Sequence, residues 1–169
     1  MLNLRPYRPE DAEIIATWIS DELTMHKLAA NLYESFPVTA QAMNEKYDQY
    51  RQTHSLVAFT VEDPQGVPCG HFTYLFRPDD PRNARICFVI TDHLRRGQGI
   101  GTRMVRMAVR YALDELAAEK VTLCVFANNP YAHRCYRSVG FRDLEPVRQV
   151  PIMGEIWDCI DMAWEETWN

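Results

Sequence analysis

The stretch that most constrains the fold runs from Ala84 to Ala127. An apolar run, "ARICFVIT" (84–91), leads into "HLRRGQGIGTRMV" (93–105), which sets Gly97, Gly99 and Gly101 at alternate positions behind Arg95 and Arg96. From about Gly99 to Ala118 the pattern is amphipathic. Ile100, Met104, Met107, Ala108, Tyr111 and Ala112 share one side, and Arg103, Arg106, Arg110 and Asp114 the other. "KVTLCVFA" (120–127) is apolar again. Strand, helix, strand is a βαβ unit, so its two strands are expected to be parallel with a right-handed crossover. The lack of alternation in either strand predicts burial on both faces.

The flanks read differently. "LNLRPY" (2–7) alternates as a short strand, and "PEDAEIIATWISDE" follows as a helix. Pro9, Glu10, Asp11 and Glu13 suit its N-terminus, and Ile14, Ile15, Trp18 and Ile19 form its apolar stripe. Residues 22–38 carry turn signals and aromatics without a clear period. Thr39 caps a second helix over 39–52. "SLVAFTVED" (55–63) and "VPCGHFTYLF" (67–76) flank "PQG" as an antiparallel hairpin, and "RPDDPRN" (77–83) reads as a loop. "NPYAHRCYRSV" (129–139) is a short helix with Pro130 in its first turn and Gly140 as its stop. Two last strands surround a turn near Met153 and Gly154. The order predicts an α+β fold: a mixed, mostly antiparallel sheet of about seven strands, flanked by helices, with one parallel pair at its centre.

The 169 residues fit a single domain, 1–169, with a core large enough to fold alone. A net charge of −5 argues against a nucleic-acid face and only mildly favours a cationic substrate. No apolar stretch approaches a membrane span, and "MLNLRPYRPED" has no signal-peptide core, so no membrane partner and a cytoplasmic setting are expected. Cys69, Cys87, Cys124, Cys135 and Cys159 show no metal or disulfide spacing and are expected to be buried, reduced thiols. His26, His54, His71, His93 and His133 show no paired-ligand spacing, and no metal site is expected.

A helix N-terminus holds unpaired amides and the positive end of the dipole. Placed just after a strand and stripped of side chains by glycine, it can wrap a phosphate, and Arg95 and Arg96 add charge. The turn lacks the lysine of a Walker loop. It reads G-x-G-x-G where a dinucleotide fingerprint needs G-x-G-x-x-G. A pyrophosphate is the anion it suits best.

"RGQGIG", Arg96 to Gly101, resembles the acyl-CoA signature R/Q-x-x-G-x-G/A of the GNAT superfamily of N-acetyltransferases. "NPYAHRCYRSVGF", Asn129 to Phe141, is similar to the family pattern N-x-x-A-x-x-x-Y followed by G-F. The closing "GEIWDCIDMAW" resembles the RimJ/RimL-like branch. The order of elements matches that fold along nearly the whole chain.

The resemblance implies acetyl-CoA as co-substrate, no metal, and a primary amine as acceptor, either a small molecule or a protein N-terminus. It assigns the pyrophosphate to Arg96, Gly97, Gln98, Gly99, Gly101 and Thr102, and the pantetheine arm to the strand end Val89, Ile90 and Thr91. Asn129 becomes a pantetheine contact, Ala132 a small residue that lets the ligand approach, and Tyr136 the acid that protonates the departing thiolate. The spacing of Asn129, Ala132 and Tyr136 puts them on one helix face. A backbone amide near Val89 would stabilise the oxyanion. The alternative role for Tyr136 is core packing, the role expected of Tyr111. Cys135 is expected to be a buried thiol and not a nucleophile.

Many family members carry a glutamate on the strand before the glycine turn, and "ARICFVIT" has neither Asp nor Glu. His71, Glu22, Asp92 and Glu155 are candidate bases, and a solvent path is an equal alternative. Met25, Leu28, Leu32, Tyr33 and Phe36 either line an acceptor site or cover the core. Two other readings remain: a non-catalytic acyl-CoA-binding module, and more remotely a nucleotide-binding protein. The resemblance also allows a homodimer, with Trp164 and Trp168 packing at its contact or on their own domain.

Overall fold

Strand pairing carries most of the architecture of the computed structural model, which describes residues 1–165. In chain order the elements are β1 (Asn3–Pro6), α1 (Asp11–Thr17), α2 (Glu22–Ala29), α3 (Ala40–Thr53), β2 (Ser55–Glu62), β3 (Pro68–Arg77), β4 (Asp80–Thr91), α4 (Ile100–Asp114), β5 (Lys120–Phe126), α5 (Pro130–Val139), β6 (Phe141–Asp143), β7 (Arg148–Ile152) and β8 (Glu155–Trp164). A short 3₁₀ turn, His93–Arg95, precedes α4. The strands form one eight-stranded sheet in the order β1-β2-β3-β4-β5-β8-β6, with β7 on β8. β4 and β5 pair in parallel and every other pair is antiparallel, so the expected α+β fold with a central βαβ unit is what forms.

Helices cover both faces. Ile100, Met104, Val105, Ala108 and Ala112 of α4 and Tyr136 of α5 pack on Phe59, Phe72, Tyr74, Ile86, Leu123 and Met162. Tyr111 closes on Phe59 with ring centroids 4.7 Å apart, the core role expected of it. On the other face Ile15, Trp18, Met25, Met43 and Tyr47 pack on Leu56, Ala58 and Ile90. A third, smaller cluster joins Phe126, Ile152, Trp157 and Cys159. The segment after α2 links the last two clusters: Ala30 packs on the small one, Tyr33 and Val38 belong to the larger, and Asn31 Nδ2 donates to Pro151 O at 2.8 Å.

Several local expectations need correction. The loop expected at 77–83 is mostly strand, because Arg77 pairs with Asp80 in a tight β3–β4 hairpin. The tail forms three strands where two were expected; three-residue β6 is too short to show a period but finds β8 as a partner. Ile14 is exposed although Ile15, Trp18 and Ile19 are buried, since a residue one step along a helix turns about 100° away from its neighbour. Neither central strand is buried on both faces throughout: Cys87, Phe88 and Val89 are half-exposed and Cys124 is exposed. Met25 and Tyr33 cover the core, Leu28 and Leu32 flank it, and Phe36 is exposed. Trp164 donates from Nε1 to Val139 O at 3.2 Å and so packs on its own chain. Trp168 lies outside the described residues.

Candidate functional site

The parallel ladder between β4 and β5 is short. Asn83, Ala84 and Arg85 pair with Lys120, Val121 and Thr122, and beyond them the strands separate. The second half of β4 is therefore held by β3 alone. That pairing is itself interrupted, since Thr73 pairs with Cys87 and His71 with Ile90, so three steps on β4 match two on β3. This is a bulge, and its extra residue leaves the ladder locally unpaired beside Val89. Phe88 sits in it with φ at 51°, a left-handed conformation costing about 1–2 kcal/mol in a non-glycine residue. Tyr47 and Tyr50 hold its ring, with centroids 5.6 and 6.4 Å away.

The glycine turn closes one end of this opening. Gly97 and Gly99 have φ of 79° and 70°, and a Cβ at either would meet nothing within 4 Å. Their need for glycine is thus backbone conformation, with open space in front of them. Gly99 is the N-cap of α4 and supplies no side-chain cap, whereas Asp21, Thr39 and Asn129 cap α2, α3 and α5. The first-turn amides of α4 are left without a side-chain acceptor. Gly101 is different: a Cβ there would make ordinary contacts with Cys135 Sγ at 3.8 Å and Thr91 Cγ2 at 4.0 Å.

The charges around the turn divide. Arg95 is not free for an anion, because Nη1 donates to Asp63 Oδ2 at 2.8 Å, and Asp63 Oδ1 also accepts from Gln65 N and Val67 N. Arg96 and Gln98 are exposed. Arg103, placed by its period on the outer helix face, folds back over the turn and donates from Nη2 to Gln98 O at 3.1 Å.

The second motif begins α5. Asn129 Oδ1 accepts from Ala132 N at 3.4 Å, so its carbonyl oxygen is a helix cap, while both hydrogens of Nδ2 remain for a ligand. Ala132 is half-buried. Tyr136 is buried and meets Phe141 edge-on at 6.3 Å. Its hydroxyl has no hydrogen-bond partner among the described residues, and burial pushes its phenol well above the usual range. Cys135 lies with Sγ 3.4 Å from Thr102 Oγ1, locking α5 to the first turn of α4, and burial raises its thiol.

The turn, the end of β4 and the start of α5 thus converge on one opening. Thr91 and Cys135 both approach Gly101, and Val89 packs on the α4 side of the sheet. Ile90 turns its side chain to the opposite core, which leaves only its backbone for the opening.

Of the candidate bases, Asp92 borders this group, next to Thr91, but serves as a cap. His71 is fully buried between Tyr7 and Tyr47, its Nε2 2.6 Å from Tyr47 Oη, and burial lowers it to about 4. It is a neutral core histidine. Asp92 caps the 3₁₀ turn by accepting from Leu94 N at 3.0 Å, Glu22 is exposed on α2, and Glu155 accepts from Trp157 Nε1 at 3.3 Å.

On the face away from α4 the structure brings together residues that the sequence did not single out. Arg85 Nη2 donates to Asp161 Oδ1 at 2.8 Å, and Arg148 grips the same carboxylate at 2.5 and 3.0 Å. Despite partial burial, the two guanidinium groups hold the Asp161 carboxyl below its ordinary range. Cys124 is exposed alongside. Nothing local joins Arg85 to Asp161 across 76 positions, so no sequence signal could have found this cluster. Nearby, Leu32, Gln49, Tyr50, Gln52 and Thr53 line a neutral pocket of about 400 Å³ that touches Phe88 through Tyr50. Among the described residues no group of three or more His, Cys, Asp or Glu side chains is placed to hold a metal ion.

Residues 15–141 match the family model described as "Acetyltransferase (GNAT) family", and the chain belongs to that family. Among solved structures it is similar to spermidine N-acetyltransferase from Vibrio cholerae in complex with CoA and spermine, with a TM-score of 0.79, 24% identity, and coverage of 96% of this chain and 94% of that one. It is also similar to a putative phosphinothricin N-acetyltransferase, with a TM-score of 0.77, 19% identity and 98% of each chain covered. At these identities the likeness is one of fold.

Proposed function

We propose that this member of the acetyltransferase family transfers the acetyl group of acetyl-CoA to the primary amine of a small molecule or a protein N-terminus, by direct attack in a ternary complex. The observation that carries this reading is the uncapped, glycine-lined N-terminus of α4 at the point where β4 has left β5. Amides with no side-chain acceptor, open space before Gly97 and Gly99, and the nearby Arg96 and Arg103 suit a pyrophosphate. Gln98 and Thr102 complete that cradle. The unpaired edge of β4 at Val89–Thr91 suits an extended amide-bearing arm, which would add to it as a strand. When bound, acetyl-CoA supplies an activated acetyl thioester.

This chain's residues do the rest. Asn129 Nδ2 donates to the arm, and Ala132 leaves it room. The backbone amide at the Phe88 bulge, beside Val89, faces the developing negative charge of the carbonyl oxygen. Tyr136 stays protonated across neutral pH, because burial disfavours its phenolate, and gives its hydrogen bond to the departing sulfur. The amine proton leaves through water, since "ARICFVIT" offers no carboxylate and Asp161 is held by two arginines.

That last point favours one second reading, a non-catalytic acyl-CoA-binding module. Likeness of fold to the spermidine enzyme makes polyamines acceptors to try; the resemblance of the closing strand to the RimJ/RimL-like branch, which neither the family match nor the similar structures single out, adds protein N-termini. The neutral pocket beside Phe88 adds amines with apolar or aromatic tails.

The test is thiol release from acetyl-CoA against pooled amino acids, polyamines, aminoglycosides and short peptides with free N-termini. We expect one pool to exceed the hydrolysis blank. Acetyl-CoA binding with silence from every pool would move the assignment to the binding module. Silence without binding would overturn the role of the glycine turn.

A further inference from the structure

The exposed cysteine at the centre of the sheet is unused by acyl transfer, and its surroundings are unusual. Along β5, Val121, Leu123 and Val125 face the α4 core, so Cys124 points to the other side. β4 has already parted from β5 at this point, and Cys124 is exposed although it belongs to a central strand. Its cross-strand partner on β8 is Asp161, and the diagonal neighbour on the same face is Cys159, which pairs with Phe126. Cys159 is buried, at 3% exposure, and Arg148 Nη2 lies 3.4 Å from its sulfur. Arg85 approaches from β4 and Arg148 from β7, and among the described residues Asp161 is the carboxylate both of them hold. Two guanidinium groups against one carboxylate leave the sulfur pair in a net positive field.

We propose that Cys124 is a modification site for low-molecular-weight disulfides, with Cys159 as the thiol that resolves the adduct. The Cys124 thiolate attacks one sulfur of the disulfide R–S–S–R. A bond forms between Cys124 Sγ and that sulfur, the R–S–S–R bond breaks, and R–S⁻ departs. Cys159 then attacks Cys124 Sγ, its proton passes to the second departing R–S⁻, and a Cys124–Cys159 disulfide closes across β5 and β8. The two protein thiols lose two electrons, and the small disulfide is reduced to two thiols.

Three features give this site its selectivity. Cys124 is the exposed member of the pair, so the first attack belongs to it. The two thiols are coupled: neighbouring Cys159 and the charges of Arg85 and Arg148 hold the Cys124 thiol below its ordinary range, against desolvation and Asp161. The remaining thiols are poor competitors, because burial raises Cys69, Cys87 and Cys135, the second of these to about 12. An accessible, electropositive thiol beside a buried partner is the arrangement that favours thiolation followed by resolution.

The experiment uses the full chain, reduced and then treated with oxidised glutathione at neutral pH, followed by intact and peptide mass spectrometry. We expect Cys124 to react at least about tenfold faster than any other cysteine, and the product to be a Cys124–Cys159 disulfide with two glutathiones released. Cys124→Ser should abolish the fast phase. Cys159→Ala should instead trap a stable Cys124–glutathione adduct with one glutathione released. Fast modification of another cysteine, or a fast phase that survives Cys124→Ser, would overturn the site. An adduct on Cys124 that never resolves in the unaltered chain would overturn the role of Cys159. None of these readouts depends on acetyl transfer, so the site stands or falls separately from the proposed activity.

Discussion

Two strand-to-helix junctions lie side by side in this molecule, and they are built in opposite ways. Where β4 passes into α4, the helix begins bare: Gly99 caps nothing, and open space lies before Gly97 and Gly99. Where β5 passes into α5, the helix is closed off, with Asn129 accepting from Ala132 N and Pro130 following at the first helical position. The first junction leaves its amides without a side-chain acceptor, and the second caps its own start and presents side chains instead. Under the proposed function the bare, glycine-lined start is the one that receives the anion.

The comparison can be broken most forcefully at the capped junction. Tyr136→Phe is expected to lower turnover about a hundredfold while acetyl-CoA affinity stays within about twofold, read by steady-state kinetics and calorimetric titration. Unchanged turnover would make α5 a wall only. The next effect belongs to the bare junction. Gly99→Ala puts a methyl into the cradle, strains an αL residue by about 1 kcal/mol and should weaken CoA binding about tenfold. CoA titration alongside thermal unfolding separates the two: loss of stability with full affinity would reduce the turn to a joint. Arg96→Ala should weaken CoA about threefold at low salt and less at high salt, since an exposed guanidinium acts through a screened field; a loss that ignores ionic strength would contradict that. The smallest change is Asn129→Ala. It removes the cap and should cost about 1 kcal/mol of stability by denaturant unfolding, with Asn129→Asp restoring most of it, while both variants lose the Nδ2 donor and bind CoA about two- to threefold more weakly.

Sequence reached both junctions because each is local. The glycine spacing, the apolar run before it, and the Asn-Pro start of α5 all lie within a few residues of what they build. The same locality misled in places. Chain position puts the charge of Arg95 beside the turn, yet Asp63, 32 residues earlier, holds its guanidinium. Arg103 was set on the outer face by its period, yet its guanidinium returns to the turn. Asn129 matched the motif, but only the folded helix shows that half of its amide is committed to a cap.

By itself the sequence determined the central βαβ unit, the mixed sheet around it and the two motifs that flank the opening, because hydrophobic period and turn chemistry act over short stretches of chain. Tertiary structure alone decided that β4 and β5 pair over only three residues and then part. It decided that Phe88 absorbs the resulting bulge, and that His71 is sealed among aromatics while Cys124 is left open. It also decided that Asp161 serves two arginines. Register, desolvation and ion pairing each depend on which distant strand arrives alongside, and no periodicity along one strand encodes its neighbour.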